Sequence, residues 1–368
     1  MDTAAYPFRL RRVQDRQRAA LRWLRVLAVC LVGLAQPAAQ RHLPAQRLTA
    51  DRVFIDADAA REVMAFLQAL QDGDRWDEER LRCLASLPGN RTMLAYHHDA
   101  DAAAGPEDWL TMLMALRDGQ NYTSDSPRMM RMYLTYKWAS SHLPELCDRL
   151  PYLTDPGLVE RAAHSARAAL PGWARLTATI YVTLDGFNPA YMTGDAVVLD
   201  VLQLDQPAAL DRWLAYRLHK LSADALLPPP CTVISTGQAL ETLAFMMQEG
   251  ARCYYIDRWH ARADAEDNDL VGNSLIALAD ADLAPDTLAA SMQALTGAGR
   301  GPLQRVGCTI IAELTARHGR EWVLDRLGRP LALLAAFADD RPWPQAEALI
   351  RALGQHRRAC PDWFAREP

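Results

Sequence analysis

The chain has 368 residues, long enough to bury a sizeable hydrophobic core in one large domain or two small ones. Half of the residues are hydrophobic and 23% are charged, which excludes a disordered or collagen-like chain. The net charge of −5 becomes −10 without the first 35 residues, because these carry seven arginines and two aspartates. An acidic protein is a poor candidate for binding phosphate backbones, so we expect no nucleic-acid partner.

Residues 1–35 have the layout of a secretory signal peptide. A basic segment precedes a short apolar run at 26–34, and Gly33 and Ala35 supply small residues at a cleavage spacing. A membrane anchor is the alternative, but the run is shorter than the roughly 20 residues that span a bilayer. The pattern predicts export to the periplasm or beyond, no transmembrane span in the mature form, and a linker at residues 36–50.

Six cysteines follow this leader, and none of them belongs to a Cys-x-x-Cys pair. The sequence therefore disfavours zinc fingers and thioredoxin-type chemistry. Export permits disulfides, but the spacing leaves their pairing open.

In chain order, the first half is predicted to be a helical array. Residues 53–56 either form a short strand or lead into a helix. Apolar residues at helical spacing predict a helix at 59–70, and proline followed by acidic residues predicts a helix start at Pro106. Further helices are predicted at 128–141 and 156–170.

Two segments rich in β-branched residues, 177–184 and 196–201, are predicted strands. We expect them to pair as a hairpin across a long connection that begins with a loop at 185–189. The predicted fold is therefore mainly α (α+β), a helical domain with a small β-hairpin and an edge strand before the next helix.

Helices return after the strands. The predicted elements are a helix at 207–221, a break at 228–230, a long helix at 236–256, a polar acidic loop at 260–269, and helices at 283–295, 301–318, 321–327 and from 330 onwards. We divide the chain after the linker into an N-terminal helical region, residues 51–175, and a second region, residues 176–368.

Six stretches of the chain resemble a bacterial family of exported zinc-dependent peptidases of the gluzincin, His-Glu-x-x-His type. They are IYVTLDG at 180–186, GDAVVL at 194–199, WLAYRLHKL at 213–221, MQEGARCY at 247–254, and QRVG at 304–307 followed by HGRE at 318–321. The resemblance covers roughly residues 50–340. In such peptidases an edge strand holds the substrate, one helix presents two histidines and a general-base glutamate, and a later helix supplies a glutamate ligand.

The motif is degenerate in this chain. The resemblance puts Tyr216 at the first histidine, Arg217 at the catalytic glutamate and Lys220 at the second histidine, and only Glu249 keeps its identity as a remnant ligand. Zinc requires lone-pair donors, whereas ammonium and guanidinium groups are cations that repel it. We therefore predict a catalytically inactive protein without zinc.

Shifting the register by one residue does not restore the motif. It makes His219 the second ligand, a weak metal candidate, but it then puts Ala215 at the first histidine and Tyr216 at the glutamate. Zinc would be a cofactor only if non-standard ligands replaced the lost ones.

Lys220 is one of only two lysines in the chain, and it replaces a metal ligand. If the fold is retained, the Glu249 carboxylate would be buried and in need of a positive charge. We therefore predict a Lys220–Glu249 ion pair with Tyr216 beside it; the alternative is that Lys220 and Arg217 face solvent. The residues predicted to line the cleft are Tyr181, Asp195, Tyr216, Arg217, His219, Lys220, Glu249 and Tyr254.

Two other groups of metal-capable side chains are weaker candidates. The first is the His97-His98-Asp99-x-Asp101 stretch, which we interpret as a surface turn because adjacent side chains diverge. The second is the acidic loop with His260, Asp264, Glu266, Asp267 and Asp269. It lacks the glycine and the spacing of a calcium loop, so we interpret it as solvated.

These patterns predict a pseudo-peptidase whose cleft still binds an extended peptide by strand addition. Two alternatives remain open. One is an active zinc-dependent hydrolase that uses His219 and Glu249 with ligands from the acidic loop, and the other is a structural or assembly protein of the cell envelope.

Overall fold

A computed structural model describes residues 52–187, 190–203, 207–260, 262–279, 295–296, 301–339 and 343–364. Over these ranges the fold is mainly helical with one small four-stranded sheet, which confirms the predicted fold class. The predicted signal peptide, the linker and residues 283–294 of a predicted helix lie outside the described residues. None of the described helices combines the length and the hydrophobicity needed to cross a membrane.

Strand β1 (Arg52–Asp56) opens the described chain. The helices that follow it in the first half are α1 (Asp58–Gln71), α2 (Glu78–Ser86), α3 (Pro88–Ala100), α4 (Pro106–Arg117), α5 (Pro127–Ser141), α6 (Leu143–Leu153) and α7 (Pro156–Arg167). Local signals fix several starts: proline begins α4, α5 and α7, and the side chains of Ser126 and Asp155 cap α5 and α7 by accepting from backbone N–H groups. The helices predicted here are therefore confirmed.

The second half begins with the remaining strands and continues with helices. Its elements are β2 (Thr177–Thr183), β3 (Ala190–Thr193), β4 (Ala196–Asp200), α8 (Pro207–Asp224), α9 (Ile234–Ala251), a π-helical turn (Arg252–Ile256), α10 (Ala265–Ala279), α11 (Pro302–His318), α12 (Arg320–Asp325), α13 (Pro330–Ala338) and α14 (Pro344–Gly354). The stretch WLAYRLHKL lies on α8, as predicted.

The sheet has the strand order β1-β2-β4-β3. Strands β1, β2 and β4 are parallel, and β3 runs antiparallel to β4 at the edge. The predicted hairpin between the segments 177–184 and 196–201 is therefore wrong, because β2 and β4 pair in parallel and the hairpin partner of β4 is β3. A two-residue turn, Gly194-Asp195, closes that hairpin, and Gly194 has φ +58°, which suits such a turn.

Helices α1 and α3 pack on the sheet, and α8 lies beside β3 and against α7. Helices α9 and α11 cross closely, because a Cβ on Gly250 or Gly307 would overlap the backbone of the other helix. This contact places the end of α9 next to the start of α11. A disulfide between Cys231 and Cys360 joins the segment before α9 to the end of the described chain.

Candidate functional site

Glu249 lies near the end of α9, with a side chain that is only 4% exposed. Its Oε2 atom lies 2.9 Å from Arg252 Nη2 and also accepts hydrogen bonds from Arg252 Nε and Gln304 Nε2, each at 3.1 Å. The π-helical turn supplies Arg252 and α11 supplies Gln304. The buried carboxylate is thus held by side chains from two neighbouring elements.

Arg252 also pairs with a second carboxylate, that of Asp257. Burial alone would lower the pKa of the Arg252 guanidinium, but the negative charges of Glu249 and Asp257 raise it above its ordinary value. The guanidinium therefore remains charged and compensates the charge of Glu249.

Tyr216 on α8 lies next to this ion pair. Burial and the nearby negative charge of Glu249 raise the pKa of Tyr216 to about 12. The guanidinium carbons of Arg252 and Arg217 lie 4.8 and 4.9 Å from the centre of its ring. The predicted neighbourhood of Tyr216 and Glu249 is therefore present, with Arg252 as the central cation.

The predicted Lys220–Glu249 ion pair is wrong. Lys220 Nζ lies 3.0 Å from the Asp224 carboxylate, one turn further along α8, and 5.4 Å from the Phe245 ring. Asp224 is a local partner that costs little chain entropy to reach, and Arg252, three residues from Glu249, already neutralises that carboxylate. The sequence signal for the Arg252–Glu249 pair is the Glu-x-x-Arg spacing at 249–252.

Arg217 connects α8 to the edge of the sheet. Its Nη2 donates a hydrogen bond of 3.0 Å to the carbonyl oxygen of Ala190 on β3. In an antiparallel pair the outward-facing backbone groups alternate along the edge strand, so Met192 presents its N–H and C=O on the same side as Ala190. The outer edge of β3 thus lies beside α8, whereas the two segments predicted as strands, β2 and β4, lie inside the sheet, and β3 itself was not predicted.

His219 lies in the hydrophobic core and does not belong to the group formed by Glu249, Arg252 and Tyr216. It is 1% exposed and its ring hydrogen bonds to the backbone of Ala169, while Nε2 has no partner among the described residues. Burial lowers the pKa of His219 to about 3, so the ring is neutral. Ala215, its counterpart in the shifted register, is also buried.

The remaining predicted cleft residues lie elsewhere. Tyr181 is on β2 close to Gly89 of α3, Asp195 is in the exposed turn before β4, and the Tyr254 ring lies 5.3 Å from that of His260. Within the described ranges, no hydrogen bond or ion pair joins these three side chains to Glu249. The structure therefore assembles only Tyr216, Arg217 and Glu249 from the predicted set.

The predicted surface turn at 97–101 is wrong for His97, which is on α3 and fully buried. Its Nε2 lies 3.4 Å from Asp185 Oδ2, and Arg128 Nη1 donates to its Nδ1 at 2.8 Å. Because arginine can only donate, Nδ1 must carry the lone pair and Nε2 the hydrogen. The neighbouring residues diverge: His98 lies near Gly105, and Asp101 accepts from Ser126, the residue that caps α5.

A buried pair of carboxylates, Asp185 and Asp200, lies at the carboxyl ends of β2 and β4, where parallel strands bring them together. Burial would raise the pKa of Asp185, but hydrogen bonds from His97 and the Phe187 N–H lower it below its ordinary value. Burial and the charge of Asp185 raise the pKa of Asp200 well above its ordinary value. The pair therefore retains one proton, and Tyr191 donates to Asp185 at 2.7 Å.

The predicted acidic loop is partly helical, because α10 begins at Ala265. Asp264 and Asp267 accept hydrogen bonds from each other's backbone N–H at this start, and Asp267 also pairs with Arg305. Asp269 accepts from Gln345 at 2.7 Å. These acidic side chains are therefore engaged in helix capping and tertiary contacts.

The donor set around Glu249 does not fit zinc. Tyrosine, arginine and lysine stand at the three positions of α8 to which the resemblance assigns the motif, and the Arg252 guanidinium already holds the Glu249 carboxylate. In the part of the chain that the structure describes, no group of three or more His, Cys, Asp or Glu side chains could hold a metal ion. No protein-family model, curated protein or solved structure matches the chain.

Proposed function

We propose that this protein is an exported, metallopeptidase-like protein that does not hydrolyse peptides and binds an extended peptide along the edge of β3. The observation that carries the proposal is the Arg252–Glu249 ion pair beside Tyr216. It supplies a permanent positive charge at the carboxylate that the resemblance identifies as a zinc ligand. No carboxylate is available on α8 at the general-base position, which Arg217 occupies.

Peptide binding rests on the outer edge of β3. Met192 offers an outward N–H and C=O to an added strand, and Arg217 covers the next outward carbonyl, that of Ala190. An added peptide would therefore pair at Met192 and end at Arg217. Export is supported by the disulfide between Cys231 and Cys360, since disulfides persist in oxidising compartments.

Met192 provides a matched pair of variants for this proposal. Met192→Pro removes the outward N–H, which an edge strand tolerates, whereas Met192→Ala keeps the backbone donor. The binding of fluorescently labelled extended peptides of varied sequence is measured by anisotropy. We expect Met192→Pro to weaken binding at least about tenfold and Met192→Ala to leave it nearly unchanged. Equal binding by both variants would remove strand addition from the proposal.

The absence of hydrolysis is tested on the purified full chain. We expect far less than one zinc per chain by metal analysis and no peptide cleavage that responds to chelators. Stoichiometric zinc together with chelator-sensitive cleavage would overturn the proposal. Glu249→Ala then identifies the role of the carboxylate: an active metal site loses activity, whereas a charge pair shows only a change in stability.

A gain-of-function variant tests the residue-by-residue alignment with the zinc motif. Tyr216→His, Arg217→Glu and Lys220→His restore the His-Glu-x-x-His helix, and Arg252→Ala frees Glu249. We expect the combined variant to bind about one zinc ion per chain, since three protein ligands suffice for a catalytic-type site. The Arg252→Ala single variant is the control and should bind none. A folded combined variant without zinc would show that the alignment is wrong.

A further inference from the structure

Two buried cysteines lie side by side, close to Glu249 and its hydrogen-bond donors Arg252 and Gln304. Cys253 is in the π-helical turn and Cys308 is on α11, and both are fully buried. Their sulfur atoms donate to the same acceptor, the carbonyl oxygen of Trp259, at 3.1 and 3.0 Å. The two thiols also lie within hydrogen-bonding distance of each other.

We infer that Cys253 and Cys308 form a second disulfide when the chain folds in an oxidising compartment. The chain already contains one disulfide, between Cys231 and Cys360, so it is suited to such a compartment. Two sulfurs that share one acceptor and contact each other need only small side-chain rotations to reach bonding distance. The proximity of the pair carries this inference independently of peptide binding.

The oxidant is a small-molecule disulfide, such as oxidised glutathione. The thiolate of one cysteine attacks it, forms a mixed disulfide and releases one thiol. The second cysteine, after losing its proton, attacks the mixed disulfide and releases the second thiol. The protein loses two electrons and two protons, and the small disulfide is reduced to two thiols.

This reaction belongs to folding rather than to the folded state. The hydrogen bond with Cys308 and burial raise the pKa of the Cys253 thiol well above its ordinary value, so the folded protein offers little thiolate. Before the segment around Trp259 is packed, both thiols are accessible to the oxidant. We therefore expect the bond to form during oxidative folding and to form slowly if oxidant is added to the folded, reduced protein.

The disulfide would link the π-helical turn covalently to α11, the two elements whose side chains hold Glu249. Arg252 directly precedes Cys253, and Gln304 lies one helical turn before Cys308 on α11. Both of these side chains donate to the Glu249 carboxylate. A covalent link between their neighbours would therefore fix the geometry of the ion pair.

The test uses the full chain with Cys30→Ser and with the two exposed cysteines of the described residues replaced, Cys83→Ser and Cys147→Ser, so that disulfide exchange is limited. The reduced, denatured chain is refolded with oxidised and reduced glutathione, digested without reductant and mapped by mass spectrometry. We expect two linked peptide pairs, 231–360 and 253–308. Formation of 231–360 with Cys253 and Cys308 both still alkylatable in denaturant would overturn the inference.

A second measurement gives the consequence of the bond. Adding Cys253→Ser to the same background should lower the urea midpoint under non-reducing conditions and have a much smaller effect in reductant. An equal loss under both conditions would indicate a packing effect alone and contradict the disulfide. The peptide map does not require this variant to fold.

Discussion

Arg252 and Glu249 form a buried ion pair, with Arg252 Nη2 2.9 Å from Glu249 Oε2 and side-chain exposures of 15% and 4%. Such a pair contributes little net stability, because both charges lose their hydration. Loss of one partner is different, since the other charge is left buried and uncompensated. The pair therefore makes Arg252 more important to the fold than its position at the end of a helix suggests.

Arg252→Ala should destabilise the protein by about 3–5 kcal/mol, because it leaves the Glu249 carboxylate buried without its cation. Lys220→Ala should cost only about 0.3–0.5 kcal/mol, since Lys220 forms a partly exposed pair with Asp224 one turn away. Urea denaturation of the two variants measures both values. A larger loss of stability for Lys220→Ala than for Arg252→Ala would indicate that Lys220, and not Arg252, neutralises Glu249.

Removing both charges provides the control for this comparison. The double variant Arg252→Ala with Glu249→Ala should lose less stability than the sum of the two single variants, because neither charge is then left alone. Additive losses would show that the two side chains act independently.

Much of the fold is predictable because its signals are local. Proline and capping residues mark helix starts, and apolar periodicity at 59–70 predicts α1. The pairing of strands is not local: β2 and β4 are parallel because the chain first forms β3 at the edge of the sheet and then returns as β4 between β3 and β2. The continuous apolar run at residues 196–199 of β4, typical of a buried parallel strand, is the sequence signal against the predicted hairpin.

One part of the candidate site was predicted, namely that Tyr216 lies beside Glu249. The proximity of Tyr216 and Glu249 follows from the order of the helices, but the identity of the cation does not. Partner choice depends on side-chain reach in three dimensions, and it favours Arg252 over Lys220. His97 shows the same limit, because its partner Asp185 is 88 residues away.

The buried, neutral state of His219 should make stability depend on pH. Burial, with smaller contributions from the positive charges of Arg252 and Lys220, lowers its pKa from 6.5 to about 3. Between these values the unfolded chain binds a proton that the folded chain does not. The contribution of neutral His219 to the free energy of unfolding is therefore fully present above pH 6.5. It decreases as the pH falls towards 3, by up to about 5 kcal/mol.

The His219→Asn variant retains a side-chain N–H for the Ala169 carbonyl but does not titrate. It should be less stable at pH 7 and should lack this pH-dependent decrease, as measured by urea denaturation from pH 7 to 4. Parallel curves for the variant and the parent protein would show that His219 does not carry the effect.

The hydrogen bond from Tyr191 to the ionised Asp185 should be stronger than a neutral one. Tyr191→Phe should cost about 1.5–3 kcal/mol, because its partner is a buried charge. Tyr133→Phe is a matched control: Tyr133 is similarly buried but donates to a neutral carbonyl at 3.2 Å, and should cost about 1 kcal/mol. Equal losses in urea denaturation would mean that Asp185 is not charged.

The close crossing of α9 and α11 depends on two glycines. A Cβ on Gly250 would overlap the backbone at Gly307, and a Cβ on Gly307 would overlap the carbonyl of Met246. Backbone atoms cannot move aside as a flexible side chain can, so the helices would have to separate and the contact between Gln304 and Glu249 would lengthen.

We therefore expect Gly250→Ala and Gly307→Ala each to destabilise the protein by about 1–3 kcal/mol or more. Gly354→Ala on α14 is the control: apart from its chain neighbours and its own helix backbone, no described atom lies within 4 Å of its Cβ position, and alanine there should stabilise by about 0.4–1 kcal/mol. Thermal and urea denaturation of the three variants test this directly, and a neutral Gly250→Ala would mean that α9 and α11 do not approach at backbone distance.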